Sequence, residues 1–315
     1  MNYYKRTADA LLKDLLDAFG AVLIEGPKWC GKTTTASQLA NSILKMQDPG
    51  MRDEYLVTAK TKPSILLNGD TPRLIDEWQD APMLWDAVRT TVDDRQVPGL
   101  FILTGSNAVD KSQIHHSGAG RIARLRMLPM SLWESQESTG EVSLKELFNN
   151  PDYDIDGKMS KMSIEDLIFA ASRGGWPASL LARTPKAQLL VAKNYVQTIC
   201  LDDISGIDRK RRDAKLTSMI LRAYARNVST LVKKKSLIDD VISSGEVSCH
   251  VDTFDDYVSA LEKLFVIQNV SAWCPAIRSK TAIRSGVKRC FCDPSIPIAL
   301  LGLSPEALSM QLKTF

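Results

Sequence analysis

The sequence predicts an α/β fold in which a parallel β-sheet is flanked by helices and followed by a helical and winged-helix-like region. Three observations predict it. The apolar run AVLIE at 21–25 passes directly into the glycine-containing GPKWCGKT and then into residues with helical apolar spacing. A second continuous apolar run, Leu100 to Leu103, fits a strand buried on both faces, as parallel strands are. Beyond residue 216 the pattern reads helix, helix, helix and then two strand-like runs.

The chain has 315 residues, 44% hydrophobic and 24% charged, which suits a folded protein too long for one typical domain. We expect three regions, at 1–135, 136–215 and 216–315. Lys and Arg number 40 against 37 Asp and Glu, a formal charge of +3, so overall composition excludes a general polyanion binder and any nucleic-acid surface must be local. Six cysteines (Cys30, Cys200, Cys249, Cys274, Cys290 and Cys292) form no CxxC pair, which points to a reducing cytosol and no disulfide framework. No apolar run approaches the roughly 20 residues of a membrane span. A soluble, cytoplasmic, unexported protein is expected.

In the segment at 26–33, Gly26 and Gly31 permit backbone conformations that turn successive N–H groups toward an anion, and the first turn of the next helix adds unpaired donors. Lys32 is spaced to reach β and γ phosphates, and the Thr33 hydroxyl can ligate Mg²⁺. This is the pattern of a phosphate-binding, or Walker A, loop: Gly26, Pro27, Lys28, Trp29, Cys30, Gly31, Lys32, Thr33 and Thr34 are the expected nucleotide-binding residues. The helix after it is expected to run through Ala36, Leu39, Ala40, Ile43 and Leu44. Cys30 has two readings, a redox-sensitive thiol or simply a small residue at a tight place.

The stretch PRLIDEWQDAP places Asp76 and Glu77 at the end of an apolar strand. A carboxylate there, beside a phosphate loop, suits Asp76 as the outer Mg²⁺ partner and Glu77 as the base that orients attacking water. LWDAVRTTVDD predicts a helix through Leu84, Trp85, Val88 and Val92. The strand FILTGSN ends in Thr104, Ser106 and Asn107; Thr104 or Ser106 can bind the attacking water, or the group can serve a local turn. In GRIARLRM, Ile122, Leu125 and Met127 suggest a strand, and Arg121, Arg124 and Arg126 are either arginine-finger candidates, Arg121 first, acting in cis or from a neighbour, or surface charges. His115 and His116 lack partners at metal-ligand spacing.

With GPKWCGKTTTA, LIDEWQ, FILTGS, GRIARLRM and PMSLWE in sequence, the chain resembles a bacterial and archaeal family of AAA-type P-loop ATPases that carry a C-terminal domain of unknown function. The resemblance implies a P-loop NTPase domain with Gly26, Lys32 and Thr33 on nucleotide, Asp76 on Mg²⁺ and Glu77 on water. It also leads us to expect relatives that continue past Phe315 into a further α/β segment suggestive of nuclease-like folds.

In the C-terminal half, Ile164, Leu167, Ile168 and Ala171 give a helix that breaks at GGWP, residues 174–177, and resumes. The charged stretch 202–215, with Arg209 to Arg212, reads as a solvated segment or a basic footprint. A helix is expected to start at Thr253 with Asp256 as its capping-box partner, carrying the stripe Phe254, Tyr257, Val258, Leu261, Leu264 and Phe265. The strand-like VIQNVSAW and VKRCFC follow. Between Lys263 and Asp293 no residue is acidic, and Arg278, Lys280, Arg284, Lys288 and Arg289 gather there. That patch suits DNA backbone or a protein partner. Two functions follow: an Mg-dependent ATPase that couples hydrolysis to conformational change on a nucleic-acid or protein partner, or an ATP-loaded switch with little turnover. A small-molecule kinase is the weaker third class, since Glu77 has no place in it.

Overall fold

The computed structural model describes residues 3–106, 116–208, 210–245, 248–273 and 286–312. Asn107, His115, Arg209, Cys274, Arg278, Lys280 and Arg284 therefore lie outside the described residues.

Five strands, β1 (Ala21–Glu25), β2 (Ser42–Lys45), β3 (Arg73–Asp76), β4 (Phe101–Gly105) and β5 (Ile122–Arg126), form one sheet in the order β2-β3-β4-β1-β5. Every pairing is parallel. Alternate residues of β1 supply opposite faces, as the two-residue period of a strand requires. Ala21 and Leu23 join Ile75, Phe101, Leu103, Trp78 and Trp85 in one core, while Val22 and Ile24 join Leu12, Leu16, Ala36, Leu74 and Ile102 in the other. Helix α1 (Thr7–Ala18) covers the second face with Leu12 and Leu16, four residues apart on one stripe. Helix α4 (Met83–Arg95) covers the first, burying Leu84, Trp85, Val88 and Val92, the spacing read from the sequence.

The sequence reading of one long helix after the loop is corrected. Helix α2 spans only Lys32–Ser37, and Ser42–Lys45 is the edge strand β2. A short apolar run fits either period; pairing decides here, because the Asn41 N–H donates to the Pro72 carbonyl and leads the chain into register with β3. Helix α3 (Arg52–Thr61) then returns along the sheet.

The C-terminal region is helical. After α5 (Leu144–Asn149), helix α6 (Ile164–Arg173) opens on a capping box of Ser163 and Asp166. Helices α7 (Pro177–Leu181) and α8 (Pro185–Thr198) follow the break, and α8 runs on through the π-helical turn Ile199–Asp203 into the single turn α9 (Ile204–Gly206). Next come α10 (Ala214–Arg226), α11 (Lys234–Ser243) and α12 (Val251–Lys263), then antiparallel bridges joining Ile267 to Phe291 and Val270 to Lys288. Two short helices, Ser295–Leu300 and Pro305–Leu312, complete it.

One core runs through this region: Trp176 and Tyr195 pack with Ile220, Tyr224, Leu237, Phe254, Leu261 and Ile296. The Trp176 indole N–H donates to Ser295 Oγ at 3.0 Å, so the first and last parts of the region are joined inside it. The expected capping box at Thr253 is not formed. Helix α12 begins at Val251 with His250 as its cap, and Asp256 instead accepts from Arg212 and Lys210. Arg212 is buried between Asp256 and Asp208, so this part of the charged stretch is an internal ion-pair network, not an open basic footprint.

Candidate nucleotide site

The loop at 26–33 leaves β1 at the carboxyl end of the sheet, the end where open α/β sheets hold ligands. Gly26 has a φ of +156°, and a Cβ there would meet the Met127 carbonyl oxygen at 2.0 Å, so no larger residue fits. Gly31, at φ +100°, caps α2. Lys32 is buried, and its ammonium donates back to the Gly26 carbonyl at 3.0 Å and the Pro27 carbonyl at 2.8 Å, spanning the concave side of the loop.

Sheet register sets the acidic pair beside this loop. Asp76 ends β3 opposite Thr104 of β4, which is opposite Ile24 of β1. The Asp76 carboxylate accepts from Thr33 Oγ at 2.6 Å and from Thr104 Oγ at 2.6 Å. Thr33 and Asp76 thus converge from two elements, offering hard oxygen donors of the kind Mg²⁺ takes alongside phosphate and water. No cluster of three or more His, Cys, Asp or Glu that could hold a metal occurs among the described residues.

Glu77 follows at a φ of +55°, a left-handed conformation that turns its side chain out of the strand. Its carboxylate accepts from Ser106 Oγ at 3.2 Å and from the Gln79 amide. A cavity of about 1220 Å³ opens here, lined by Lys28, Trp29, Gly31, Lys32, Thr33, Thr34, Glu77 and Ser106 on one side. The other side is the C-terminal region, chiefly α7 and α8. The loop touches that region directly: Lys28 pairs with Asp203, and the Trp29 ring lies 6.0 Å from that of Tyr195.

Two sequence expectations change here, and the two readings of Cys30 are told apart. Thr104 is fully buried, donating to Asp76 and accepting from the Glu77 N–H at 3.3 Å, so it positions the acidic pair and does not face the cavity; Ser106 does. Arg121 precedes β5 at the amino end of the sheet, bonded through its carbonyl to the Ala21 N–H and paired at 2.7 Å with Asp93, so this chain does not bring it to its own loop. Arg124 lies over Trp85 and pairs with Glu25, while Arg126 lies over Phe265. Cys30 faces inward, its thiol against the Met127 carbonyl, and burial pushes that thiol up despite the nearby Lys32 and Arg6 charges, which disfavours a reactive thiolate.

Sequence reasoning missed the support beneath the loop. The buried Arg6 guanidinium donates to the Cys30 carbonyl at 2.7 Å, the Leu128 carbonyl at 2.7 Å and Glu134 at 3.1 Å. Burial works against the Glu134 charge, but the Ser131 and Thr7 N–H groups and Arg6 hold its carboxyl below the usual range. A lone arginine 24 residues before its partner carries no local signal.

Fold and loop together define a P-loop NTPase. Two family models cover parts of the chain: residues 18–136 match the AAA domain family and residues 164–307 match domain of unknown function DUF8612. Two uncharacterised proteins, from Mycobacterium tuberculosis and Mycobacterium bovis, are each 24% identical over 279 residues, 85% of this chain and 54% of theirs. The chain thus spans about half the length of the curated relatives it matches. A Walker-type ATPase of Pyrococcus abyssi superposes with a TM-score of 0.55 at 14% identity, over 95% of this chain and 96% of that one, a likeness of fold.

Proposed function

We propose that this chain binds ATP with Mg²⁺ in the loop at 26–33 and hydrolyses it, coupling the nucleotide state to its C-terminal helices and, through them, to a nucleic-acid or protein partner. The reading is supported above all by the hydrogen bonds from Thr33 and Thr104 that fix Asp76 beside the loop. Lys28, Lys32 and the loop backbone hold the phosphates, Thr33 and Asp76 hold the metal, and Glu77 with Ser106 positions water. Mg²⁺ held by Thr33 and Asp76 would supply charge neutralisation to the phosphates. Arg121 acts only if a neighbouring copy receives it, which makes an oligomer part of that option.

For the partner, three helices followed by antiparallel bridges have the order of a winged helix. Lys288 is exposed there, whereas Arg289 lies over the Tyr224 ring. A cytosolic location goes with the free thiols of Cys30, Cys249, Cys290 and Cys292; no helix among the described residues is long and apolar enough to cross a membrane. The ATP-loaded switch is the alternative reading, on the observation that one oxygen of the Glu77 carboxylate, Oε2, is taken by both Ser106 and Gln79.

Phosphate release is to be measured for wild type, Lys32→Ala and Glu77→Gln, with and without single- and double-stranded DNA across a salt series. Turnover lost in both variants, with ATP still bound by Glu77→Gln, supports the enzyme. Absence of turnover under every condition supports the switch, and stimulation by DNA that fades with salt supports a nucleic-acid partner.

A further inference from the structure

The end of strand β5 meets two different partners, because successive residues of a strand point to opposite faces. Met127, just past that end, backs the loop: its carbonyl oxygen stands where a Cβ on Gly26 would fall and accepts the Cys30 thiol, and its N–H donates to the Glu25 carbonyl at 2.8 Å. Arg126, the residue before it, projects from the other face. It is in register with Glu25, which leads into Gly26, and its guanidinium lies 3.9 Å from the Glu25 carboxylate and 5.0 Å over the centre of the Phe265 ring.

Phe265 follows the end of α12 with a φ of +60°, the left-handed conformation that a helix terminus usually gives to glycine. Its N–H donates to the Glu262 carbonyl at 2.9 Å and the Val266 N–H to the Leu261 carbonyl at 3.0 Å, so the helix ends in a tight turn. A bulky side chain is costly there. The turn does not need the ring, so the ring is what this position contributes: it is buried beneath the Arg126 cation, an attractive arrangement. The residues on either side carry the contact further. Leu264 lines the cavity, and the Val266 carbonyl accepts the Cys292 N–H at 3.0 Å within the C-terminal core.

We propose that Arg126 is a positioning residue that carries the nucleotide state from the root of the loop to the end of α12, with the Phe265 ring as its receiver. Arg124 and Arg126 share the Glu25 carboxylate, at 3.1 and 3.9 Å, so movement of the loop root as a triphosphate seats shifts the guanidinium over the ring. The strained turn responds because that contact helps to hold its left-handed residue. Helix α12 and the antiparallel bridges at Ile267 and Val270 move with it. Arg126 is not among the residues that line the cavity, so it acts through these groups and not on the phosphates. This inference rests on the ATP-binding reading above and names the residue by which that site reaches the C-terminal helices.

The test is amide hydrogen exchange of the full chain at 264–267 and 288–292, with and without saturating MgATP, alongside calorimetric MgATP affinity. Wild type, Arg126→Gln, Arg126→Lys, Phe265→Leu and Lys32→Ala are compared. The Arg126 side chain is half-exposed, so its replacement leaves the core intact. In wild type MgATP should slow exchange in both segments by about fivefold or more, the low end of coupling between sites. Arg126→Gln and Phe265→Leu should bind MgATP within about twofold of wild type and lose that response. Arg126→Lys, which keeps a cation over the ring, should retain part of it. A wild-type response in Arg126→Gln overturns the proposal, as does a wild type that binds MgATP with no slowing; the phosphate-loop reading survives both. A fall of about tenfold in MgATP affinity in Arg126→Gln overturns it too, because Arg126 then belongs to the nucleotide site itself. Failure of wild type to bind MgATP, or equal binding by Lys32→Ala, overturns the phosphate-loop reading and this inference with it.

Discussion

The Lys28 ammonium on the phosphate loop is ion-paired with the Asp203 carboxylate on the π-helical turn that ends α8. One side chain therefore serves two claims: it lines the cavity, and it ties the loop to the C-terminal region. On the proposed function, a bound triphosphate would compete with Asp203 for it. Replacing Asp203 with Asn removes the competitor. With Lys28 half-exposed and Asp203 largely buried, the pair contributes about 1 kcal/mol, the upper end for surface pairs, so MgATP should bind about fivefold more tightly. Calorimetric titration checks this; weaker binding in Asp203→Asn would show that the pair builds the site instead of restraining it.

Arg6 bonds the loop from below, and both it and Glu134 are almost wholly buried. Arg6→Ala strands a buried carboxylate, a change that typically costs about 3–5 kcal/mol. Thr7 and Ser131 still donate to Glu134, which places the expected loss near the lower end. Urea denaturation measures it. Because the Cys30 carbonyl loses its anchor at the same time, nucleotide affinity should fall together with stability.

The Arg212 network gives a pH signature. Hydrogen bonds from the Arg212 guanidinium lower the Asp208 carboxyl from its ordinary 3.8 to about 2. A depressed carboxyl stabilises the fold in full above its unfolded value, and that contribution is lost as pH falls from there through about 2. Asp208→Asn should therefore lower the urea midpoint at neutral pH and flatten its decline in this acid window. A midpoint that falls as steeply with acid as in wild type contradicts the assignment.

Much of the sheet domain was legible because its signals are local. The apolar run before Gly26, the Asp76–Glu77 pair and the run at Leu100–Leu103 each carry their own period and ending. Helix α2 was misread because SILK has no decisive period, and its pairing with β3 depends on residues some 30 positions away, such as Arg73 opposite Ser42. Thr104 was placed on the correct strand, but which partner its hydroxyl takes depends on the β3 to β4 register, which no single strand encodes. Asp256 looked like a cap because Thr253 precedes it by three residues; the charge on Arg212, 44 positions away, takes it instead.

Calorimetric titration of MgATP into wild type, Lys32→Ala and Asp76→Asn, with Mg²⁺ present or chelated, tests the central claim most directly. Wild type should bind with an Mg²⁺-dependent increment, and Lys32→Ala should weaken binding by at least about tenfold, or about 1.4 kcal/mol. Asp76→Asn should lose mainly the increment due to the metal. Equal affinity in all three proteins, unaffected by chelation, would contradict a triphosphate seated between this loop and this carboxylate.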